Sequence, residues 1–222
     1  MSGVQTGVKI CGITEEAGLE ACMEYGADWV GFVFFERSPR YINALQAKTL
    51  AARVTGSIKK VGLFVRPDDA VLERVLDQVE LDILQLYTTP ERALQIQAKF
   101  GRPVWLSIPV ASQTDLPRQC MAERLLLEPK PPTDATRPGG NAQRLNWDLL
   151  HGWKPAYSWM LAGGLNPENV GQAVAITGAP AVDVSSGVES APGVKSPMQL
   201  RVLSIMRALQ PLVEIKTLFF LL

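Results

Sequence analysis

Histidine is almost missing from this chain: of its 222 residues only His151 is one. With a single imidazole, and with Cys11, Cys22 and Cys120 spread far apart, no ligand set for zinc can be assembled from sequence. An odd count of three cysteines also argues against a disulfide framework and fits a reducing, cytoplasmic setting. Excess charge of either sign is absent, with 22 basic residues set against 22 acidic ones. That removes the basic footprint which nucleic acid or an anionic membrane surface would require. No apolar run approaches the roughly twenty residues of a membrane span. The strongest, Leu218–Leu222, is far too short. The opening MSGVQTGVKIC has no apolar core behind positive charge, so no secretory leader is expected there. A GxGxxG fingerprint after the first apolar run is lacking too, which weakens an open dinucleotide-binding sheet.

What is present is a regular alternation. Apolar residues make up 47% of the chain and charged ones 20%, enough to bury a substantial core in one domain. Strand-like runs fall at Val8–Ile13, Trp29–Phe35, Lys60–Val65, Ile83–Tyr87, Val104–Pro109, Arg124–Glu128, Ser158–Ala162 and Ala181–Val184. Most are continuously apolar, as strands buried on both faces should be. Helical periodicity fills the gaps at Glu15–Tyr25, Ala44–Arg53, Asp69–Gln78, Pro90–Phe100, Asp115–Ala122, around Asp148, at Pro167–Thr177 and at Pro197–Leu209. Thr14 ahead of Glu15-Glu16 reads as an N-cap, and Asn166-Pro167 as cap and first turn. The pattern predicts an α/β fold, a single-domain (β/α)8 barrel over residues 1–210, with 211–222 as an apolar tail. An open doubly wound sheet is the competing arrangement.

In such a barrel the reacting groups stand at the C-terminal ends of the strands. Cys11 ends the first run, where it is either a small hydrophobe or a reactive thiol. Lys9, two residues back on the same face, would favour the thiolate. Glu128 follows Leu125-Leu126-Leu127 and is either a surface acid or a general acid with a raised pKa. Arg40, in RSPRYI, is either a solvated arginine or a planar clamp for a carboxylate. Asp183, between two valines, needs a partner if buried. Gly163-Gly164 and Ser185-Ser186-Gly187 are two small, amide-rich turns after the last two strands, suited to a phosphate dianion. A short helix near Ser186–Glu189 would assist. The Pro/Gly-rich stretch Pro129–Asn146 would lie on the same face, and Thr136–Asn141 within it is either a lid or a connector.

Taken together, KICGIT, GFVFFERSPRYI, KKVGLFV, LAGGLNPENV and VDVSSGVESAPGVK resemble the phosphoribosylanthranilate isomerase family of tryptophan biosynthesis. The resemblance implies an Amadori rearrangement of N-(5-phosphoribosyl)anthranilate without metal or cofactor. It implies Cys11 as general base, Arg40 facing the anthranilate carboxylate, and Asp183 near the substrate. Gly163, Gly164, Ser186 and Gly187 match the phosphate turns. The expected partner is a small phosphoribosyl substrate, and the expected assembly a monomer or homodimer. Three features depart from the family pattern: Glu128 replaces an aspartate general acid, Tyr87-Thr88 replaces His-Gly where the fourth strand ends, and Ala142 stands where glycine is commoner. These departures admit a second reading, a phosphosugar-binding barrel that no longer catalyses. A third is an isomerase of another ribose phosphate, disfavoured because Cys11 and Glu128 stand where two aspartates would be needed.

Overall fold

The computed structural model describes residues 5–120, 122–135, 137–139 and 143–205. Eight parallel strands hydrogen-bond in sequence order and close on themselves: β1 (Gly7–Cys11), β2 (Trp29–Val33), β3 (Lys59–Val65), β4 (Ile83–Tyr87), β5 (Val104–Val110), β6 (Arg124–Pro129), β7 (Trp159–Leu161) and β8 (Ala181–Val184). Closure is made by β1 on β8, with Lys9 level with Asp183.

Alternation of side chains along each strand sorts the residues into two shells. Val8, Ile10, Val30, Phe32, Leu84, Leu86, Leu125, Leu127, Val182 and Val184 face outward into the core beneath the helices. Val61, Ile83, Trp105, Leu126, Met160 and Ala181 fill the lower barrel interior, joined by Trp29. Above them sits a buried polar layer containing Lys9, Gln85 and Ser107, in which Gln85 Nε2 donates to Ser107 Oγ over 3.1 Å. Gly31 makes room for it: a Cβ there would meet Cys11 Sγ at 3.1 Å and Lys9 Cε at 3.3 Å. The top interior layer holds Cys11, Val33 and Leu63, against which Phe35, Val65 and Tyr87 pack. Both faces of the sheet are therefore covered, which is why the strands read as continuous apolar runs.

The outer helices are α1 (Glu16–Glu24), α2 (Ala44–Ala51), α3 (Asp69–Leu76), α4 (Pro90–Phe100), α5 (Val170–Thr177) and α6 (197–205), the last reaching the edge of the described residues. Their starts follow local chemistry. Asn43 and Gln46 form a reciprocal capping box on α2, and Asp68 caps α3. Thr89 caps α4 ahead of Pro90, and Gly101 ends that helix at φ 61°.

Several expectations are corrected. The described residues of the segment Asp115–Ala122 form no α-helix; a 3₁₀ turn at Gln113–Asp115 stands at its start. Asp115 accepts the amides of Ala111 and Ser112 at 2.8 Å each, which closes the chain into a turn, and Pro117 follows at once. Around Asp148 the helix is again 3₁₀, Trp147–Leu150. Thr14 does not cap α1: its hydroxyl donates to the Gly193 carbonyl, and Glu15 occupies the cap position. Asn166 does cap a turn, accepting from Glu168 and Asn169, but α5 begins only at Val170. Near Ser186–Glu189 there is a three-residue 3₁₀ turn, Ser186–Val188, followed by a hairpin of β9 (Glu189–Ala191) and β10 (Val194–Lys195). Among the described residues no helix is long and apolar enough to cross a membrane. The tail 211–222 lies outside the described residues.

Candidate active site

The C-terminal mouth of the barrel opens into a cavity of about 850 Å³, counted out to its open rim. Its walls include Cys11 at the end of β1, Arg40 after β2, Tyr87 at the end of β4, Glu128 on β6, Gly163 and Gly164 after β7, and Asp183 and Ser186 from β8 and its turn. Seven of the eight sequence-derived site residues thus share one pocket. The eighth, Gly187, stands behind the rim, where the position of its missing Cβ is taken by the Leu165 carbonyl. Arg137, Pro138, Gly139 and Gln143 also line the cavity, so the described parts of the segment after β6 border the mouth; Thr136 and residues 140–142 of the Thr136–Asn141 stretch and its end lie outside the described residues. Ala142, the third departure, lies outside the described residues.

Three charge systems organise the pocket. The first is Lys9 and Asp183: Lys9 Nζ, wholly buried, donates to Asp183 Oδ1 at 2.8 Å. Burial alone would lower the Lys9 pKa, but the carboxylate of Asp183 and the neighbouring Cys11 hold it above its ordinary value. Cys11 is buried as well, and burial pushes its thiol up; the Lys9 ammonium pulls the other way and is outweighed. The expectation that Lys9 favours the thiolate is therefore right in sign but outweighed, chiefly by burial and further by the Asp183 carboxylate beside it.

Glu128 forms the second system. Its side chain is 6% exposed, and burial raises its carboxyl to about 8. Tyr87 donates its hydroxyl to Oε2 over 3.0 Å, while Oε1 has no hydrogen-bond partner among the described residues. At neutral pH this carboxyl keeps its proton and can donate it.

Arg40, Glu189 and Lys195 make the third. Arg40 is not a solvated arginine: it is buried, and its Nε and Nη2 donate to the two oxygens of Glu189 at 2.7 and 2.8 Å. Lys195 Nζ donates to Glu189 Oε1 at 2.8 Å and to the Ser185 carbonyl at 3.1 Å. Burial would raise Glu189, yet the two cations hold it below its usual range. The fork leaves three of the five guanidinium protons of Arg40 for another acceptor. Neither Glu189 nor Lys195 is among the site residues that the sequence predicts. A carboxylate and an ammonium six residues apart, in a stretch otherwise made of small residues, were the only available signal.

Gly163 and Gly164 adopt φ 93° and 64°, a left-handed turn that side chains resist. Among the described residues, no backbone acceptor takes the amides of Gly163, Gly164, Ser186 or Gly187. Ser185 Oγ ties its turn to the Cys11 carbonyl at 2.9 Å. Chemically, the cavity brings together an anion-binding pair of turns, a protonated carboxyl, a thiol beside an ion pair, and a fixed guanidinium. No group of His, Cys, Asp and Glu able to hold a metal occurs among the described residues.

Comparison with known proteins points the same way. A family model described as N-(5'-phosphoribosyl)anthranilate (PRA) isomerase matches residues 8–204. The N-(5'-phosphoribosyl)anthranilate isomerase of Paracoccus denitrificans (strain Pd 1222) is 51% identical over 200 residues, covering 87% of this chain and 93% of its own. That of Paramagnetospirillum magneticum (strain AMB-1) is 50% identical over 200 residues, with the same 87% and 93% coverage. Among solved structures, phosphoribosyl anthranilate isomerase from Thermotoga maritima superposes with a TM-score of 0.78 at 30% identity, over 91% of this chain and 98% of that one. A phosphoribosyl anthranilate isomerase in complex with reduced 1-(o-carboxyphenylamino)-1-deoxyribulose 5-phosphate matches at the same TM-score of 0.78 and 30% identity, over the same 91% and 98% of the two chains.

Proposed function

The chain belongs to the N-(5'-phosphoribosyl)anthranilate isomerase family of tryptophan biosynthesis, and we propose that its pocket performs the reaction with Glu128 as general acid and Cys11 as general base. The enzyme converts N-(5'-phosphoribosyl)anthranilate to 1-(2-carboxyphenylamino)-1-deoxyribulose 5-phosphate by an Amadori rearrangement. The observation that supports the residue assignment is the buried Glu128 carboxyl in the same cavity as Cys11, where burial pushes its pKa up to about 8.

Glu128 gives its proton to the furanose ring oxygen as the C1–O bond breaks, and the nitrogen lone pair forms the C1=N bond of an iminium. The Cys11 thiolate then removes the C2 proton. The C2–H electron pair becomes the C1=C2 double bond, the iminium electrons return to nitrogen, and the resulting enolamine tautomerises to the ketone. Amides of the Gly163-Gly164 and Ser186-Gly187 turns hold the phosphate. The free protons of Arg40 take the anthranilate carboxylate. Asp183 holds the Lys9 ammonium beside the thiol. A base that must remain a free thiol suits the reducing cytoplasm.

A fluorescence assay of substrate consumption by the purified protein tests this reading. It is run beside a no-enzyme blank, because the substrate hydrolyses spontaneously, and the product is identified directly. Turnover is the expected result. A folded protein that binds the reduced product but never turns over substrate would overturn the acid and base assignments and leave a non-catalytic phosphosugar barrel.

Glu189 gives a further prediction. Its two oxygens aim the Arg40 fork and balance Lys195. In Glu189→Gln the fork loses its charge partner and Arg40 swings from its position. KM is expected to rise about tenfold, with kcat changed far less, since the contact is to a non-reacting end of the substrate. Steady-state kinetics with unchanged KM would show that Arg40 needs no such anchor.

A further inference from the structure

We propose that Tyr87 is the positioning residue for the Glu128 carboxyl, fixing Oε2 as an acceptor so that Oε1 carries the transferable proton, with Gly139 closing directly over the pair. This inference rests on Glu128 being the general acid, and it treats two departures from the family pattern, Glu128 and Tyr87, as one coupled device.

The geometry comes first. Tyr87 ends β4 and Glu128 stands on β6, so the 3.0 Å hydrogen bond between them reaches across the intervening β5. Burial drives the Tyr87 phenol well above its ordinary pKa, so it remains a donor throughout the working range. A donor on Oε2 obliges that oxygen to accept, and the carboxyl proton is therefore placed on the other oxygen. That oxygen, Oε1, is buried and has no hydrogen-bond partner among the described residues. A buried polar atom left this way is expensive unless a ligand completes it. Glu128 itself lines the pocket, so a substrate seated there is the ligand that completes its carboxyl.

Reach explains why the device is needed. Glutamate has one more rotatable bond than aspartate, and each freedom lost on ordering a side chain costs free energy. An unanchored glutamate would sample several positions about an ångström apart, and misplacement on that scale costs about a hundredfold in rate. Anchoring one oxygen at the far end removes the extra freedom and leaves the other oxygen directed.

Gly139 supplies an independent observation. A Cβ at that position would lie 2.8 Å from Glu128 Oε2 and would collide with the Tyr87 hydroxyl. The backbone of the segment after β6 therefore rests on the hydrogen bond itself, and only glycine permits this approach. Gly139 and the acid thus meet at one point.

The test compares Tyr87→Phe, Glu128→Asp and the double variant by kcat, KM and the pH dependence of kcat/KM. Phenylalanine keeps the ring, so the barrel is retained. In Tyr87→Phe, kcat is expected to fall about tenfold while KM stays within about twofold. The limb near pH 8, which Glu128 shares with Cys11, is expected to move upward: Asp183, Lys9 and the Ser107 hydroxyl still act on the carboxyl, but the tyrosine hydrogen bond that favours the charged carboxylate is gone. In the Glu128→Asp background, whose shorter side chain no longer reaches the phenol, removing the hydroxyl is expected to change kcat less than twofold. Effects that multiply in the double variant, with an unmoved limb, would reduce Tyr87 to packing and overturn the proposal. A Glu128→Gln variant with wild-type turnover would instead sink the acid assignment itself, so the two failures are distinguishable.

Discussion

A Cys11→Ala variant is expected to lose about a thousandfold or more in kcat with little change in KM, within the range for removing a general base. The prediction follows from what else the pocket offers. Its titratable lining consists of Cys11, Arg40, Tyr87, Glu128, Arg137 and Asp183. Arginine and a phenol held far above its ordinary pKa cannot serve as bases, and the Glu128 carboxyl is protonated. Asp183 is engaged by Lys9. Cys11 is left, and its raised thiol has a consequence for pH. Both the thiol, above its ordinary 9.0, and the carboxyl, near 8, are protonated in neutral solution. The productive form, thiolate with protonated carboxyl, is then a minor one, and it grows as pH rises. Hence kcat/KM is expected to climb about tenfold per pH unit below the limb near 8, a limb that belongs to the coupled pair. Steady-state assays of Cys11→Ala and Asp183→Asn across this range decide the matter. If Cys11→Ala kept turnover while Asp183→Asn lost it, the base would be Asp183.

The barrel was legible because its strands are buried on both faces. Ile83–Tyr87, Pro90–Phe100 and Ala181–Val184 fall where the sequence pattern puts them. At Asp115–Ala122 turn chemistry overrides helical periodicity: Asp115 and Pro117 favour a closed turn, and the carboxylate prefers the two amides it caps. Position at strand ends located Cys11, Glu128 and Asp183, since that rule depends on topology alone. Partners could not be read the same way. The link from Arg40 to Glu189 spans 149 residues of sequence, and that from Tyr87 to Glu128 spans 41. Which oxygen of a carboxylate meets which donor is set by barrel closure, not by any local pattern. The same limit hid the balance at Cys11. Lys9 was visible as a neighbour on the strand face, but its neutralisation by Asp183, level with it on the closing strand, follows only from the β1–β8 register.

A Glu128→Gln variant is expected to be nearly inactive and yet more stable than the wild type. Loss of a general acid removes about two to four orders of magnitude of rate. The stability gain follows from linkage. In the folded protein the carboxyl is raised to about 8 from an ordinary 4.5. A carboxyl raised on folding acts opposite to the usual ion-paired acid. Below pH 4.5 both states hold the proton and the group is neutral to stability. Between 4.5 and 8 the unfolded chain releases the proton while the folded one retains it, so stability falls by about 1.4 kcal/mol per pH unit. Above 8 the loss is complete and flat. At pH 7 the cost is therefore on the order of 3 kcal/mol, which for a chain of this size corresponds to about 6–12 °C in Tm. Glutamine does not titrate and removes that slope. Thermal melts of the two proteins are expected to converge near pH 4 and to separate progressively toward pH 8. Parallel curves would mean that the carboxyl is not held protonated, and with it would fall the reason for regarding Glu128 as the acid. Divergence would show that the barrel gives up stability at the one position where a buried proton is needed for chemistry, as strained and desolvated groups at active sites commonly do.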